Sequence, residues 1–403
     1  MKKSITDLGV KTIGIDLGDK THQVCMLNEG GQIVREVQVT NTLHALNQLL
    51  APLPPALIAM EAGTHSPWVS SALEGGGHTT LVANPRKVKA ISGNQRKSDK
   101  EDARLLAKLA RVDPELLHPI RHRSAQTQAD LALIKARHAL IKARTGLINH
   151  CRGIVKSQGA RLPACSAASF HKQLAAVPVE LREALEPLLR AVEETTTKIY
   201  QLERKIEELA EAKYPQTAKL TPTVGVGRLT ALAFMLVIED PARFDKSRRV
   251  GSYLGLTPEK DQSGEQDKQL RISKAGDGYL RMLLVLCAQH ILGPKSKECE
   301  LRDWGLAICA RGGKAAKKRA ATAVARKLAV QLHRLWLSDE PYDPFYDSKK
   351  KARASGQSLE AVRERQGRES LALARQRKPA PAPGAKKGKS ARRAAGPAVA
   401  ARA

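Results

Sequence analysis

Residues 11–41, KTIGIDLGDKTHQVCMLNEGGQIVREVQVTN, alternate apolar or β-branched side chains with polar ones about Gly30–Gly31. This period of two excludes a helix and predicts three short strands in a meander. HALNQLLAPL (44–53) then reads as a helix, and PALIAMEAG (55–63) and HTTLVANP (78–85) read as further strands. KSDKEDARLLAKLARVDP (97–114) puts Leu105, Leu106 and Leu109 on a helical stripe that stops before Pro114. A meander followed by alternating helix and strand makes residues 1–122 an α/β domain.

The period then changes. Leu131, Ile134, His138, Ile141, Thr145 and Ile148 recur at spacings of three and four, and so do Val192, Thr195, Ile199, Leu202, Ile206 and Leu209. Such seams predict two long coiled-coil helices within residues 123–215, and the break at Gly159 and Pro163 lets them fold back as an antiparallel pair or join a partner subunit. Residues 216–340 predict a compact, mostly helical domain with Gly-rich turns. From residue 341 the chain reads as a disordered, basic, low-complexity tail ending in KPAPAPGAKKGKSARRAAGPAVAARA. A chain of 403 residues exceeds what one core usually holds, which agrees with several domains.

Charge narrows the partner. Lys plus Arg number 68 against 40 Asp plus Glu, a formal net charge of +28. Beyond Asp347 stand sixteen Lys/Arg and three Glu, or +13 (16 − 3), so the remainder still carries +15 (28 − 13). Such an excess points to a polyanion, DNA or RNA, bound with counterion release. The six cysteines are scattered without zinc spacing and read as reduced thiols. The N-terminus lacks a signal-peptide pattern and no uncharged run is long enough for a bilayer, so a cytoplasmic protein without a membrane partner is expected.

Four acids suggest chemistry. Asp16 ends the first apolar strand in IGIDLG, and Glu61 repeats that arrangement in IAMEAG. A carboxylate so placed is costly unless it meets a cation. Asp99 and Asp102, three apart near a helix start, share one face, whereas Glu101 should face elsewhere. Together the four suit two-metal phosphodiester cleavage, in which hard oxygen ligands hold divalent ions about 3.5–4 Å apart. The bland alternative is a turn residue for Asp16 and N-terminal helix acids for the other pair. IGIDLGDKTHQV is also similar to the first phosphate loop of actin-like ATPases, but a matching second phosphate loop and an adenosine loop are not evident.

Ser263 precedes Gly264 in what reads as a polar loop, followed by Arg271, Lys274 and Arg281. An activated serine backed by cations can attack a phosphodiester, although Ser-Gly is more often a plain turn. TPTVGVGRLTALAF, with Arg228, resembles the second half of a helix-hairpin-helix that approaches phosphates, or else a tight turn between packed helices. Lys314, Lys317, Lys318 and Arg319 gather before an Ala/Val/Leu stripe, and Lys97 precedes the acidic helix; these are candidate nucleic-acid contacts. Trp68 and Trp336 suit core packing better than base stacking, and His65 suits a structural role better than proton transfer.

These motifs, in this order, resemble the transposases of the insertion-sequence 110 group, including its 1111 subgroup. GIDLG, MEAG and KSDKEDARLLA match the RuvC-like Asp-Glu-Asp-Asp domain of that group. TVGVGRLTALAF, YLGLTP, QSG and RISKAGDGYLRMLLV match its transposase domain. The resemblance implies a ribonuclease-H-like α/β domain, an antiparallel coiled coil and a small, mostly helical domain. It implies Mg2+ on Asp16, Glu61, Asp99 and Asp102, and Ser263 as a nucleophile that becomes covalently joined to DNA. It further implies a homo-oligomer, dimer or tetramer, with composite sites, and a structured bridge RNA that selects donor and target DNA. The basic tail is longer than the resemblance requires. A RuvC-like junction nuclease and a non-enzymatic nucleic-acid-binding protein are the alternatives.

Overall fold

A computed structural model describes residues 9–88, 98–263, 266–313, 315–365 and 368. The chain divides into two compact units, Met1–Gln128 and Ala129–Ala403.

In the first unit the expected meander is present: β1 (Val10–Leu17), β2 (Thr21–Asn28) and β3 (Ile33–Thr40) are antiparallel neighbours. Helix α1 (Leu43–Leu50) follows, capped by the Thr42 hydroxyl, which accepts from the Ala45 amide. Strand β4 (Leu57–Glu61) lies parallel to β1, and after α2 (Ser66–Gly75) strand β5 (Thr79–Ala83) lies parallel to β4. The sheet order is β3-β2-β1-β4-β5. Strand alternation divides its side chains between two faces. Ile13, Ile15, Met26, Ile58 and Met60 pack with α1 and α2 on one face. Ala59 and Ala83 meet Leu106 and Ala110 on the other, where Cys25 and Leu27 meet Ala103 and Ala107. Ala103, Leu106, Ala107 and Ala110 belong to α3 (Asp99–Val112), which covers that face. Each fully buried Leu or Ile contributes about 1.5–3 kcal/mol.

In the second unit α4 (Ala125–Ser157), whose first residues fall before the boundary, and α5 (Val179–Lys213) are the two long helices expected. They run antiparallel. Lys213 reaches Asp130, Arg137 pairs with Glu203, and Arg144 donates to the Thr196 hydroxyl at 3.1 Å. Burial departs from the expected seam at its polar positions: Thr145 is exposed, while Thr196 rather than Thr195 is buried. Ile148, Cys151, Val155, Leu185, Leu189 and Val192 close around Phe170 at the far end. Leu131, Ile134, Ile206 and Ala210 join the main core instead.

That core is built round α7 (Arg228–Ile238), which follows the short α6 (Thr217–Leu220); every residue of α7 from Thr230 on is buried. An all-round apolar helix has nowhere stable to sit except inside. Packed in the same core are α8 (Arg248–Tyr253), α9 (Gly278–Ile291) and α11 (Ala316–Leu337), with α10 (Glu300–Cys309) at its edge. The expectation of a mostly helical domain needs one addition, an antiparallel hairpin of β6 (Pro258–Ser263) and β7 (Gln266–Ile272). The basic stretch from 341 is a correction. Helix α12 (Tyr346–Ser355) folds there, with Ser348, Ala352 and Val362 buried. Arg363 pairs with Asp303 and Glu298 and lies over the Phe345 ring. Charge alone did not prevent folding, because cations there found acids: Arg363 on and just before α10, and Lys349 at Asp343. The KPAPAPG end lies outside the described residues.

Candidate active site

Two sequence-predicted acids stand side by side because of register. Ile15 on β1 pairs with Met60 on β4, so Asp16 and Glu61, one step on, end adjacent parallel strands. Ile15 and Met60 pack with α1 and α2, so alternation turns Asp16 and Glu61 to the α3 face.

Glycine 14 decides how closely α3 approaches. A Cβ there would strike the Ala103 carbonyl oxygen and the Ala107 amide. At the other end of α3, the Arg111 guanidinium donates to the Glu29 carbonyl oxygen at 3.0 and 3.2 Å. Glu29 follows Asn28, the partner of Val10 at the start of β1. Helix α3 therefore runs against β1, with its first turn at the carboxyl end of the sheet. That turn carries Asp99, Glu101 and Asp102. Negative charge there also suits the helix dipole.

Asp16, Glu61 and Asp102 are half-buried and Asp99 is exposed. Glu101 is engaged elsewhere, in an ion pair with Arg104. Arg104 also donates to both Glu36 oxygens, at 2.5 and 2.7 Å, which ties α3 to β3. That hydrogen-bonded guanidinium holds the Glu36 carboxyl below the ordinary carboxylate range.

The donor set at this edge is made of carboxylates, the ligands that hard divalent ions prefer. In that chemical sense the residues fit magnesium. Among the described residues, however, no group of three or more His, Cys, Asp or Glu side chains stands close enough together to hold an ion.

On the opposite face, the indole N–H of Trp68 donates to His65 Nδ1 at 3.3 Å, and His65 Nε2 lies 3.4 Å from Asp19. The indole bond makes Nδ1 an acceptor, which leaves the ring proton on Nε2 toward Asp19. Burial, with His65 adding to it, pushes the pKa of neighbouring His22 down.

Ser263 is the last residue of β6, paired in register with Gln266 across the hairpin tip. The sequence suggested a loop because EKDQSGEQDK has no apolar alternation to announce a strand. The hairpin base is pinned by Gly276 (φ +70°), where a Cβ would meet the Tyr253 carbonyl oxygen.

Residues 13–158 match the family model of the insertion-sequence IS110 transposase DEDD domain, and residues 218–300 match the model described as transposase, IS116/IS110/IS902 family. Together these spans take in more than half of the chain. The chain belongs to the IS110 family of transposases. It is 29% identical over 350 residues to the transposase for insertion sequence element IS1111A of Coxiella burnetii, covering 85% of this chain and 93% of that protein. A probable family 20 transposase of Pseudomonas aeruginosa is 28% identical, over 71% of this chain and 85% of its own length. The transposase for IS1328 of Yersinia enterocolitica is 29% identical, over 70% and 83%.

In this transposase the sequence-predicted cations serve unequal roles. Arg271 and Lys274 are exposed at the base of the hairpin, on β7 and just after it, at the opposite end from Ser263. Arg281 is half-buried and donates to the Leu254 and Ala275 carbonyl oxygens at 2.9 and 2.8 Å, bracing the hairpin base. Arg228 opens α7 and pairs with Glu211 at 2.6 Å. In the turn before it, Gly225 (φ +80°) packs against Ile291 and the Cys287 carbonyl on α9. Lys317, Lys318 and Arg319 are exposed in the first turn of α11, where like-signed helix-end charge leaves them available to an anion. Lys97 and Lys314 lie outside the described residues. Trp336 packs in the main core, 6.3 Å from Phe234 between ring centres. No described helix is long and apolar enough to cross a membrane.

Sequence reasoning passed over Arg248, Arg326 and Lys327. Arg248 lies on α8 and the other two on α11, almost eighty residues apart in the chain, and no local pattern links them.

Proposed function

We propose that this transposase cuts and rejoins DNA with two sets of residues: Asp16, Glu61, Asp99 and Asp102, which hold Mg2+, and Ser263, which is the nucleophile. What supports the reading is that Asp16 and Glu61 end adjacent parallel strands on the sheet face covered by α3, whose first turn carries Asp99 and Asp102. Bound magnesium supplies Lewis-acid stabilisation of the phosphodiester oxygens.

The remaining chemistry belongs to the chain. Ser263 Oγ gives up its proton and bonds to phosphorus, while the bond from phosphorus to one sugar oxygen breaks. That oxygen takes a proton and leaves as a hydroxyl. A hydroxyl of a second strand then attacks the phosphoserine diester, which forms the new phosphodiester and restores Ser263. One ester is exchanged for another at each step, so no external energy source is needed. Arg271 and Lys274, at the hairpin base, hold the DNA by its backbone phosphates.

The donor and target DNA are selected by a structured bridge RNA, a reading supported by the +15 carried by residues 1–347. The protein works as a homo-oligomer, dimer or tetramer, with the α4–α5 arm as its assembly element.

Covalent trapping tests the mechanism. Purified protein, RNA from the region flanking its coding sequence, Mg2+ and labelled donor DNA should yield a protein–DNA adduct on a denaturing gel. The adduct should vanish in Ser263→Ala and in Asp16→Ala. Cleavage without an adduct, equal in Ser263→Ala, would replace this reading with a metal-dependent junction nuclease.

A further inference from the structure

Within the Ala129–Ala403 unit, α8 and α11 line a cavity of about 600 Å3, closed on its other side by the start of α10 and residues 342–347. Its cations and its acids are unequally engaged. Asp347 stands 3.8 Å from Arg334, and Glu300 accepts from the Ser348 amide. By contrast, Arg248, Arg326 and Lys327 have no hydrogen-bond or ion-pair partner among the described residues.

Lys327 has solvent access, yet the protein around it pushes its ammonium pKa down, against the pull of Asp347 and Glu300. Access combined with desolvation is what a cation on a concave wall experiences. Its Nζ lies 4.1 Å from the Trp304 ring centre, which holds the side chain in place.

Two half-buried tyrosines complete the wall. Burial pushes the Tyr342 phenol up to about 12, so it stays neutral and adds no negative charge. Tyr346 carries the Arg334 guanidinium 4.0 Å from its ring centre.

Three unpaired cations ask for an anion, and the adjoining aromatic surface asks for a flat group. The volume lies in the range of small-ligand sites. We propose that this cavity binds one nucleoside phosphate, with the phosphate on Arg248, Arg326 and Lys327 and the base against Tyr342 and Tyr346. The same chemistry is offered by a free nucleotide and by one unstacked nucleotide of a single strand.

The position gives the strand source a use. Thr257 lines the cavity and β6 begins at the next residue, so Ser263 lies one strand length away, about 20 Å at roughly 3.3 Å per residue. The binding proposal itself stands on the cavity and is independent of any role for Ser263.

Photo-crosslinking of the full chain to a short oligothymidylate carrying one 5-iodouracil tests it, with no reading of DNA cleavage. The wild-type crosslink should map to the peptide containing Tyr342 and Tyr346. The variant Arg248→Gln/Arg326→Gln/Lys327→Gln should lose about tenfold or more of that crosslink, the scale of one charged hydrogen bond. The charge-matched variant Lys198→Gln/Arg204→Gln/Lys205→Gln, altered on the exposed side of α5, should keep it.

Competition by thymidine monophosphate would identify a mononucleotide site. Competition only by unlabelled oligonucleotide would identify a nucleotide held within a strand. Either supports the proposal. Wild-type crosslinks that all map elsewhere, or a cavity variant that crosslinks there like wild type, overturn it. The wild-type map decides the matter even if the triple variant does not fold.

Discussion

Gly14 shows how one missing methyl group positions a site it does not enter. The Ala103 carbonyl and Ala107 amide occupy the space a side chain would need, so α3 rests directly on β1. Gly14→Ala should therefore lift the helix whose first turn carries Asp99 and Asp102. Overpacking of this kind costs about 1–3 kcal/mol. The expected result is a lower urea midpoint, with strand cleavage falling alongside it. An unchanged midpoint would mean that α3 does not seat on Gly14. From sequence, GIDLG read as a strand ending in an acid; that its glycine was a landing place could not be read, because the helix that lands there is almost ninety residues away.

The α4–α5 arm divides by burial into two ends. Its near end shares the main core through Leu131, Ile134, Ile206 and Ala210, and its far end closes around Phe170, which is fully buried beneath the Arg152 guanidinium. Phe170→Ala should cost about 3–5 kcal/mol locally. Amide exchange should rise over residues 148–155 and 185–192 while α7 and α9 keep their protection. Equal loss of protection in α7 would show that arm and body open as one unit. The three-four spacing predicted both helices, since repeated apolar positions need only local geometry. It could not predict Phe170, which lies in neither seam. The β6–β7 hairpin escaped for the opposite reason: its strands are polar, so periodicity carried no signal.

At the scale of the molecule, charge is spread between the described residues and those that follow residue 368. Residues 369–403 hold nine Lys/Arg and one Glu, so deleting them removes +8 (9 − 1) of the +28 and leaves +20. The truncated protein should still bind duplex DNA. Its log Kd against log salt should be shallower, by about 0.9 for each phosphate contact that the deleted cations made. Binding titrations at several salt concentrations measure this; complete loss of binding would place the DNA contacts in residues 369–403. Cutting at Asp347 instead should destabilise the body, because Ser348, Ala352 and Val362 are buried and Arg363 is paired to α10.

By itself the sequence determined the strand meander, the long helices, the basic character and the four acids, because each is written in neighbouring residues: a period, a composition, a carboxylate ending an apolar run. Tertiary structure alone decided that β1 and β4 align so that Asp16 and Glu61 end side by side, and that α3 runs back to bring its first turn to the same edge. It alone gathered Arg248, Arg326 and Lys327 around one cavity. Register, helix direction and the meeting of distant cations depend on contacts between segments far apart in the chain, and no local pattern encodes which distant segment will be the neighbour.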